Sequence, residues 1–308
     1  MGAALNGANV GALELNWKRH FRLKTALIHG PCMKTILLPT EDHDAMPAVL
    51  EAARMVARQF DSHMEGFAVR PSAGTYVTVE PVSSLAISGA FEGDTAIQAR
   101  AQFEAFMKSH DVPQLDREPA VYSYAWPRVE SAEDAFIGNY GRCFDLIVLG
   151  RPGPEPENPR MPPLEIALFE SGRPVLVVPK TAPQTLARNV LVAWNRSTQQ
   201  ARTNIFALPL LRLAEQVTVL MVEGGREIGP SGEEAARHLR RNGIKATALT
   251  VQRGARAPGE IILEHANTLG CDLLVKTAYT QSRLRQMIFG GATRHILANA
   301  SLPVLMAH

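Results

Sequence analysis

Short apolar runs rich in Val, Ile and Leu alternate along the chain with longer stretches in which apolar residues recur every three or four positions. The runs predict strands over 34–39, 63–69, 119–125, 145–150 and 174–178, and again over 189–194, 217–222, 246–251, 271–276 and 303–307. The stretches between them predict helices near 46–60, 95–109, 131–142 and 163–171, then near 199–215, 232–242, 258–269 and 292–300. Val49, Ala53, Val56 and Phe60 form a one-sided stripe, as do Ile262, Ala266 and Leu269, so these helices cover a core with one face. Continuous apolar strands of this length belong to parallel sheets buried on both sides. Strands alternating with helices then require right-handed crossovers. The expected fold class is α/β, two tandem doubly wound five-stranded parallel-sheet domains.

The pattern occurs twice. Lys34-Thr35-Ile36-Leu37-Leu38 resembles Asn189-Val190-Leu191-Val192-Ala193, Asp145 to Gly150 resembles Asp272 to Thr277, and Pro174 to Pro179 resembles Pro303 to His308. The offsets are 154, 127 and 129, so the first copy carries about 27 extra residues between its first and fourth strands. Residues 71–94, with four Gly or Pro after Pro71, are the expected insertion, read as a loop or lid. The expected division is an N-terminal extension over 1–32, a first domain over 33–180 and a second over 187–308, with folding beginning at Met33.

Composition narrows the function classes. Among 308 residues, 46% are hydrophobic and the formal net charge is +2, which supports sizeable cores and gives no electrostatic footprint for nucleic acid or a membrane surface. No run approaches the ~18 apolar residues that a bilayer span needs. The three cysteines, Cys32, Cys143 and Cys271, show no CxxC or Cys/His ligand spacing, so a reduced, cytoplasmic setting is expected.

In an open parallel sheet the ligand crevice lies outside the carboxyl ends of the strands. In the second half this edge is made by Ala193-Trp194-Asn195, by Lys276 to Thr280, and by the start of the last helix. Gly290 and Gly291 precede that helix, let backbone N–H groups approach an anion, and are followed by Ala292 and by Thr293, a candidate cap. The bland reading of the pair is a flexible turn. Lys276, Ser282, Arg283 and Arg285 supply candidate anion contacts, against the alternatives that the arginines are solvated and that Lys276 snorkels to water. Glu41-Asp42-His43-Asp44 reads as helix-capping residues rather than a metal site, and His238, His265 and His295 lie on three separate predicted helices. No G-x-S-x-G elbow is present. No catalytic constellation emerges, and no metal site.

Ser282-Arg283-Leu284-Arg285, Phe289-Gly290-Gly291-Ala292-Thr293-Arg294-His295-Ile296-Leu297 and Leu302-Pro303-Val304-Leu305 resemble the universal stress protein family in its tandem bacterial form. The resemblance runs from Met33 to His308, and Ala207 to Leu211 and Ala167 to Val175 fall in the same order. It implies the adenine nucleotide α-hydrolase-like fold and ATP as the cofactor. The ATP phosphates in such proteins are wrapped by G-x-x-G, nine residues, then Gly with Ser or Thr. Here those glycines fall at Thr277 and Thr280, the distal one at Gly290, while Gly150 and Gly153 supply a G-x-x-G in the first half. The acidic residue that ends the first strand is Asn195 in one half and Thr40 in the other. The expected function is therefore a non-enzymatic stress-response protein with a degenerate ATP pocket in the second domain. The alternative is an ATP-binding protein with slow hydrolysis or adenylating activity. The resemblance also implies an intramolecular pseudo-dimer through the last strands and further homo-oligomerisation, with neither nucleic acid nor membrane as a partner.

Overall fold

A computed structural model describes residues 33–71, 85–127, 131–225, 228–278 and 290–308. The extension over 1–32 thus lies outside the described residues. In the first half, β1 (Thr35–Thr40), α1 (Met46–Phe60), β2 (His63–Arg70), α2 (Leu85–Ser109), β3 (Ser123–Ala125), β4 (Ser131–Glu133), α3 (Asp134–Gly141), β5 (Leu146–Gly150), α4 (Met161–Glu170) and β6 (Val175–Val178) follow one another. The second half runs β7 (Asn189–Ala193), α5 (Thr198–Leu213), β8 (Gln216–Val222), α6 (Gly232–Arg241), β9 (Ala246–Val251), α7 (Pro258–Thr268), β10 (Leu273–Val275), α8 (Gly291–Asn299) and β11 (Val304–Met306).

All these strands join one sheet in the order β3-β2-β1-β5-β6-β11-β10-β7-β8-β9, with β4 paired to β2 off that path. The pairings are parallel except between β6 and β11, where Val175, Leu176 and Val177 lie opposite Met306, Leu305 and Val304 in antiparallel register. The α/β class is thus observed. Side chains alternate across the sheet, and each face buries an apolar layer that continues through both halves. Leu38, Val148, Leu176, Leu305, Val275 and Val192 line one face, and Leu37, Ile147, Val175, Val304, Leu274 and Leu191 the other.

One carboxylate device is repeated. Asp145 accepts the backbone N–H groups of Lys34 (2.8 Å) and Thr35 (3.0 Å), and Asp272 accepts those of Arg188 (3.1 Å) and Asn189 (3.0 Å). In both cases the residue directly before β5 or β10 fastens the start of the first strand of its half.

Several expected boundaries shift. Residues 85–94, expected in a loop or lid, are the start of α2, whose helix continues to Ser109. The rest of the expected insertion, 72–84, lies outside the described residues. The predicted strand over 119–125 shortens to Ser123–Ala125; Pro119 has no N–H to give to a ladder. The predicted helix over 131–142 begins only at Asp134, because 131–133 pair with Ala68, Val69 and Arg70 of β2.

Because both apolar layers cross the β6–β11 seam, the halves are expected to unfold together. In single-tryptophan variants that keep Trp126 in one half or Trp194 in the other, urea transitions should coincide. Leu305→Ala, which removes a side chain that is 0% exposed, should lower both by ~2–5 kcal/mol. Separate midpoints would contradict a shared core.

Candidate functional site

Strand order reverses between β7 and β10 in the second half and between β1 and β5 in the first. Each reversal opens a crevice at the carboxyl ends of the two strands. In the second half, Ala193 ends β7 and is buried, Lys276 and Thr277 follow β10, and α8 begins beside them with Gly290 at its N-cap.

The floor of this crevice is a buried polar network. Thr277 and Gln200 are both 0% exposed. The Thr277 N–H donates to Gln200 Oε1 at 2.8 Å, and Thr277 Oγ1 donates to the Ala307 carbonyl at 3.1 Å. Gln200 Nε2 donates in turn to Asn204 Oδ1 at 2.9 Å. Local sequence explains why Gln200 is available. Ser197 caps α5 by accepting the Gln200 N–H, and a Gln three residues after a Ser cap ordinarily returns its side chain to the cap N–H. Here Asn195 Oδ1 takes that Ser197 N–H at 3.1 Å and the Ser197 hydroxyl at 2.8 Å. Gln200 is thereby released to reach Thr277. In α6, Ser231 and Glu234 form the ordinary reciprocal box.

Lys276 is also buried, so it does not snorkel to water, the alternative weighed against its role as an anion contact. Its Nζ donates to the Thr277 carbonyl at 2.8 Å and to Thr293 Oγ1 at 2.8 Å. Desolvation pulls its pKa from 10.5 down to about 8. Thr293, expected as a cap, is instead the third residue of α8 and points beneath the helix, where its hydroxyl donates to the Ala278 carbonyl at 3.1 Å. Gly290 has φ −64°, and a Cβ at Gly290 or Gly291 would meet nothing within 4 Å. Among the described residues, nothing in the packing requires either glycine. Both are exposed and Ala292 is half-buried. Of the remaining sequence candidates, Thr280, Ser282, Arg283 and Arg285 lie outside the described residues.

The first-half crevice is closed differently. A Cβ on Gly150 would collide with Pro159 and one on Gly153 with Asn158, so both glycines are needed for the 151–160 segment to fold onto the strand ends. Arg160 bridges Glu41 (Nε to Oε1, 2.6 Å) and Asp134 (Nη2 to Oδ1, 2.7 Å). Burial raises the Glu41 pKa above the usual carboxylate range although Arg160 pulls it down. Glu41 to Asp44 do not cap α1, whose N-cap is Ala45 with no side-chain bond. Asp44 pairs with Lys180 at 2.5 Å, and His43 packs against the Gly150 backbone with its pKa lowered by burial. Arg151, directly after Gly150, donates to the Leu297 and Ala298 carbonyls of α8 across the seam at 2.8 and 2.6 Å. Sequence spacing missed Gln200, Arg160 and Arg151. For Gln200 a signal existed, the Asn195-x-Ser197-x-x-Gln200 string; for the two arginines the partners are distant in sequence. Among the described residues, no three or more His, Cys, Asp or Glu side chains gather where they would hold a metal ion. No described helix is long and apolar enough to cross a membrane.

Comparison with known proteins agrees with this architecture. Residues 210–308 match the model of the universal stress protein family. The family match covers the last third of the chain. A universal stress protein from Archaeoglobus fulgidus DSM 4304 superposes with a TM-score of 0.66 over 90% of this chain and 96% of that one, at 14% identity. A protein of Pseudomonas aeruginosa PAO1 described as functionally unknown superposes with a TM-score of 0.50 over 89% and 92%, at 17% identity. These identities speak for the shared fold. The Stress response protein NhaX of Bacillus subtilis (strain 168) is 39% identical over 49 residues, 16% of this chain and 30% of that relative's length. The match therefore spans less than a third of that relative. Of the universal stress protein glycine positions, Thr277 is the one described within the second-half network, and Gly290 stands at its rim.

The buried amine gives this protein a specific pH dependence. A lysine whose folded pKa is lowered destabilises the fold in full below about 8, and that cost fades as pH rises toward 10.5, because the unfolded chain then binds more protons. The stability of wild type relative to Lys276→Met should accordingly rise between those limits by at most ~1.4 kcal/mol per pH unit. Thermal melts of both proteins from pH 7 to 10.5 measure the difference; a flat or falling one contradicts the burial of Lys276.

Proposed function

We propose that this protein is a universal stress protein that acts by binding and partner contact rather than by catalysis, with its second nucleotide-type crevice filled by its own side chains. The observation that carries the reading is the Thr277 N–H given to Gln200 Oε1, with both residues 0% exposed. A backbone N–H committed in this way is not offered to a phosphate oxygen. Releasing it forfeits a buried hydrogen bond, ~1 kcal/mol or more when its partner is left unmet. The β-branched Thr277 side chain also stands where close backbone approach needs glycine. Asn195, where the family carries an acidic nucleoside contact, is occupied with capping α5.

The Bacillus relative, named a stress response protein, supports the role. The antiparallel β6–β11 register supports reading the two halves as an internal pseudo-dimer, and the free outer strand edge of β9 suits further homo-oligomerisation in the cytoplasm. A second reading, ATP binding with slow hydrolysis or adenylation, is favoured by one feature. The N-terminus of α8 is exposed at Gly290 and has no side-chain cap, which suits an anion.

The test is nucleotide content followed by titration. Protein purified without ligand and then denatured should release no stoichiometric nucleotide by mass spectrometry. Thr277→Gly with Thr280→Gly should bind ATP and Mg²⁺ at least ~10-fold more tightly than wild type, about 1.4 kcal/mol, with a thermal melt confirming that the variant folds. Stoichiometric ATP in wild type, or no gain in the folded variant, contradicts the proposal.

A further inference from the structure

Lys276 occupies a position that disfavours a cation on two grounds. The residue is 7% exposed. Its Nζ bonds to Thr293, in the first turn of α8, the end of a helix that carries partial positive charge. No carboxylate pairs with it among the described residues, and residues 279–289, which join β10 to α8, contain no Asp or Glu. The buried polar side chains contributed by α5 are Gln200, Thr203 and Asn204, all uncharged. The titratable or charged groups on the surrounding elements are Arg202 on α5, Arg294 and His295 on α8, Arg196 after β7 and His308 after β11. These carry no carboxylate side chain; α7, packed against the first turn of α8 through Gly259, adds His265 and the carboxylates Glu260 and Glu264, both of which pair with Arg256 rather than with Lys276.

The hydrogen bonds fit the uncharged form. An ammonium has three N–H donors, whereas a neutral amine has two and a lone pair. Among the described residues the Nζ has two acceptors, the Thr277 carbonyl and Thr293 Oγ1. A neutral amine satisfies both and keeps its lone pair free; an ammonium leaves one donor unmet.

We propose that Lys276 is a carbamate-forming site for carbon dioxide. The Nζ lone pair attacks the carbon, one C–O π bond opens onto its oxygen, and one amine proton leaves to solvent, giving the N-carboxylate and a proton with no change of oxidation state. Carbon dioxide is small, uncharged and apolar enough to reach a buried amine. The carbamate reverses the local charge, and a negative group at the first turn of α8 is stabilised where a positive one is opposed. Gly290 and Gly291 leave that turn without side chains, and a Cβ there would meet nothing within 4 Å. Burial adds to the reactivity. With its pKa near 8 rather than 10.5, the neutral fraction at pH 8 is roughly 100-fold that of an ordinary lysine.

The experiment uses the full chain at pH 8 with ¹³C-labelled bicarbonate and dissolved carbon dioxide. Carbamate is read by ¹³C NMR, trapped with triethyloxonium and located by peptide mass spectrometry. The expected result is an ethyl-carbamate adduct on the peptide bearing Lys276, at least tenfold more abundant than on any surface lysine, with the matching resonance lost in Lys276→Arg. A resonance retained in a folded Lys276→Arg belongs to the N-terminal amine or to surface lysines and overturns the assignment. So does absence of the Lys276 adduct from wild type, a measurement that does not depend on whether the variant folds.

Discussion

The antiparallel pairing of β6 with β11 is the interaction on which the remaining architecture rests. Three opposed pairs, Val175 with Met306, Leu176 with Leu305 and Val177 with Val304, turn two parallel sheets into one. Because successive residues face opposite sides, the same three pairs stitch together both apolar layers. The seam also carries the chain on to Ala307, whose carbonyl accepts the Ala278 N–H at 2.9 Å and the Thr277 hydroxyl at 3.1 Å. The end of β10, and with it the floor of the second crevice, is therefore positioned from the interface between the halves. Arg151 adds a second tie by holding the last carbonyls of α8 from the first-half crevice.

Within that frame, the chemistry of the second crevice follows from a substitution in helix capping. Backbone groups at the carboxyl ends of parallel strands must find partners, from a ligand, water or a side chain. At Thr277 the partner is Gln200, and Gln200 is free to serve because Asn195 has taken its usual place at the α5 cap. Burying Gln200, Asn204, Thr277, Thr293 and Lys276 in one network is tolerable only because the amides and hydroxyls answer one another. The two halves thus close corresponding crevices by different means, one with a side-chain amide, the other by laying Pro159 and Asn158 against Gly150 and Gly153.

The elements that the sequence made legible are those governed by local pattern. Runs such as Ile147 to Leu149 and Val190 to Val192 are strands because only a two-sided core accepts uninterrupted β-branched and aliphatic residues, and the repeat of Asp145 at Asp272 was visible before its fastening role was. The start of α2 was not legible, since the Gly and Pro spread along 71–94 read as loop while Leu85 onward is helical and takes in Gly89 and Gly93. β4 is three residues long and exists only through its pairing with β2. Within the site, attention to glycine spacing found Thr277 and Gly290 but not Gln200, which lies 77 residues from Thr277. The burial of Lys276 and the inward turn of Thr293 are likewise products of tertiary packing.

The central claim is that a side-chain amide holds the Thr277 N–H in place of a ligand. Residue-resolved amide hydrogen exchange of the ligand-free protein measures this most directly. Thr277 should be protected as strongly as the β10 amides beside it, unchanged by ATP and Mg²⁺, and should exchange far faster in Gln200→Ala. A Thr277 amide that exchanges freely in wild type and slows when nucleotide is added would contradict the account.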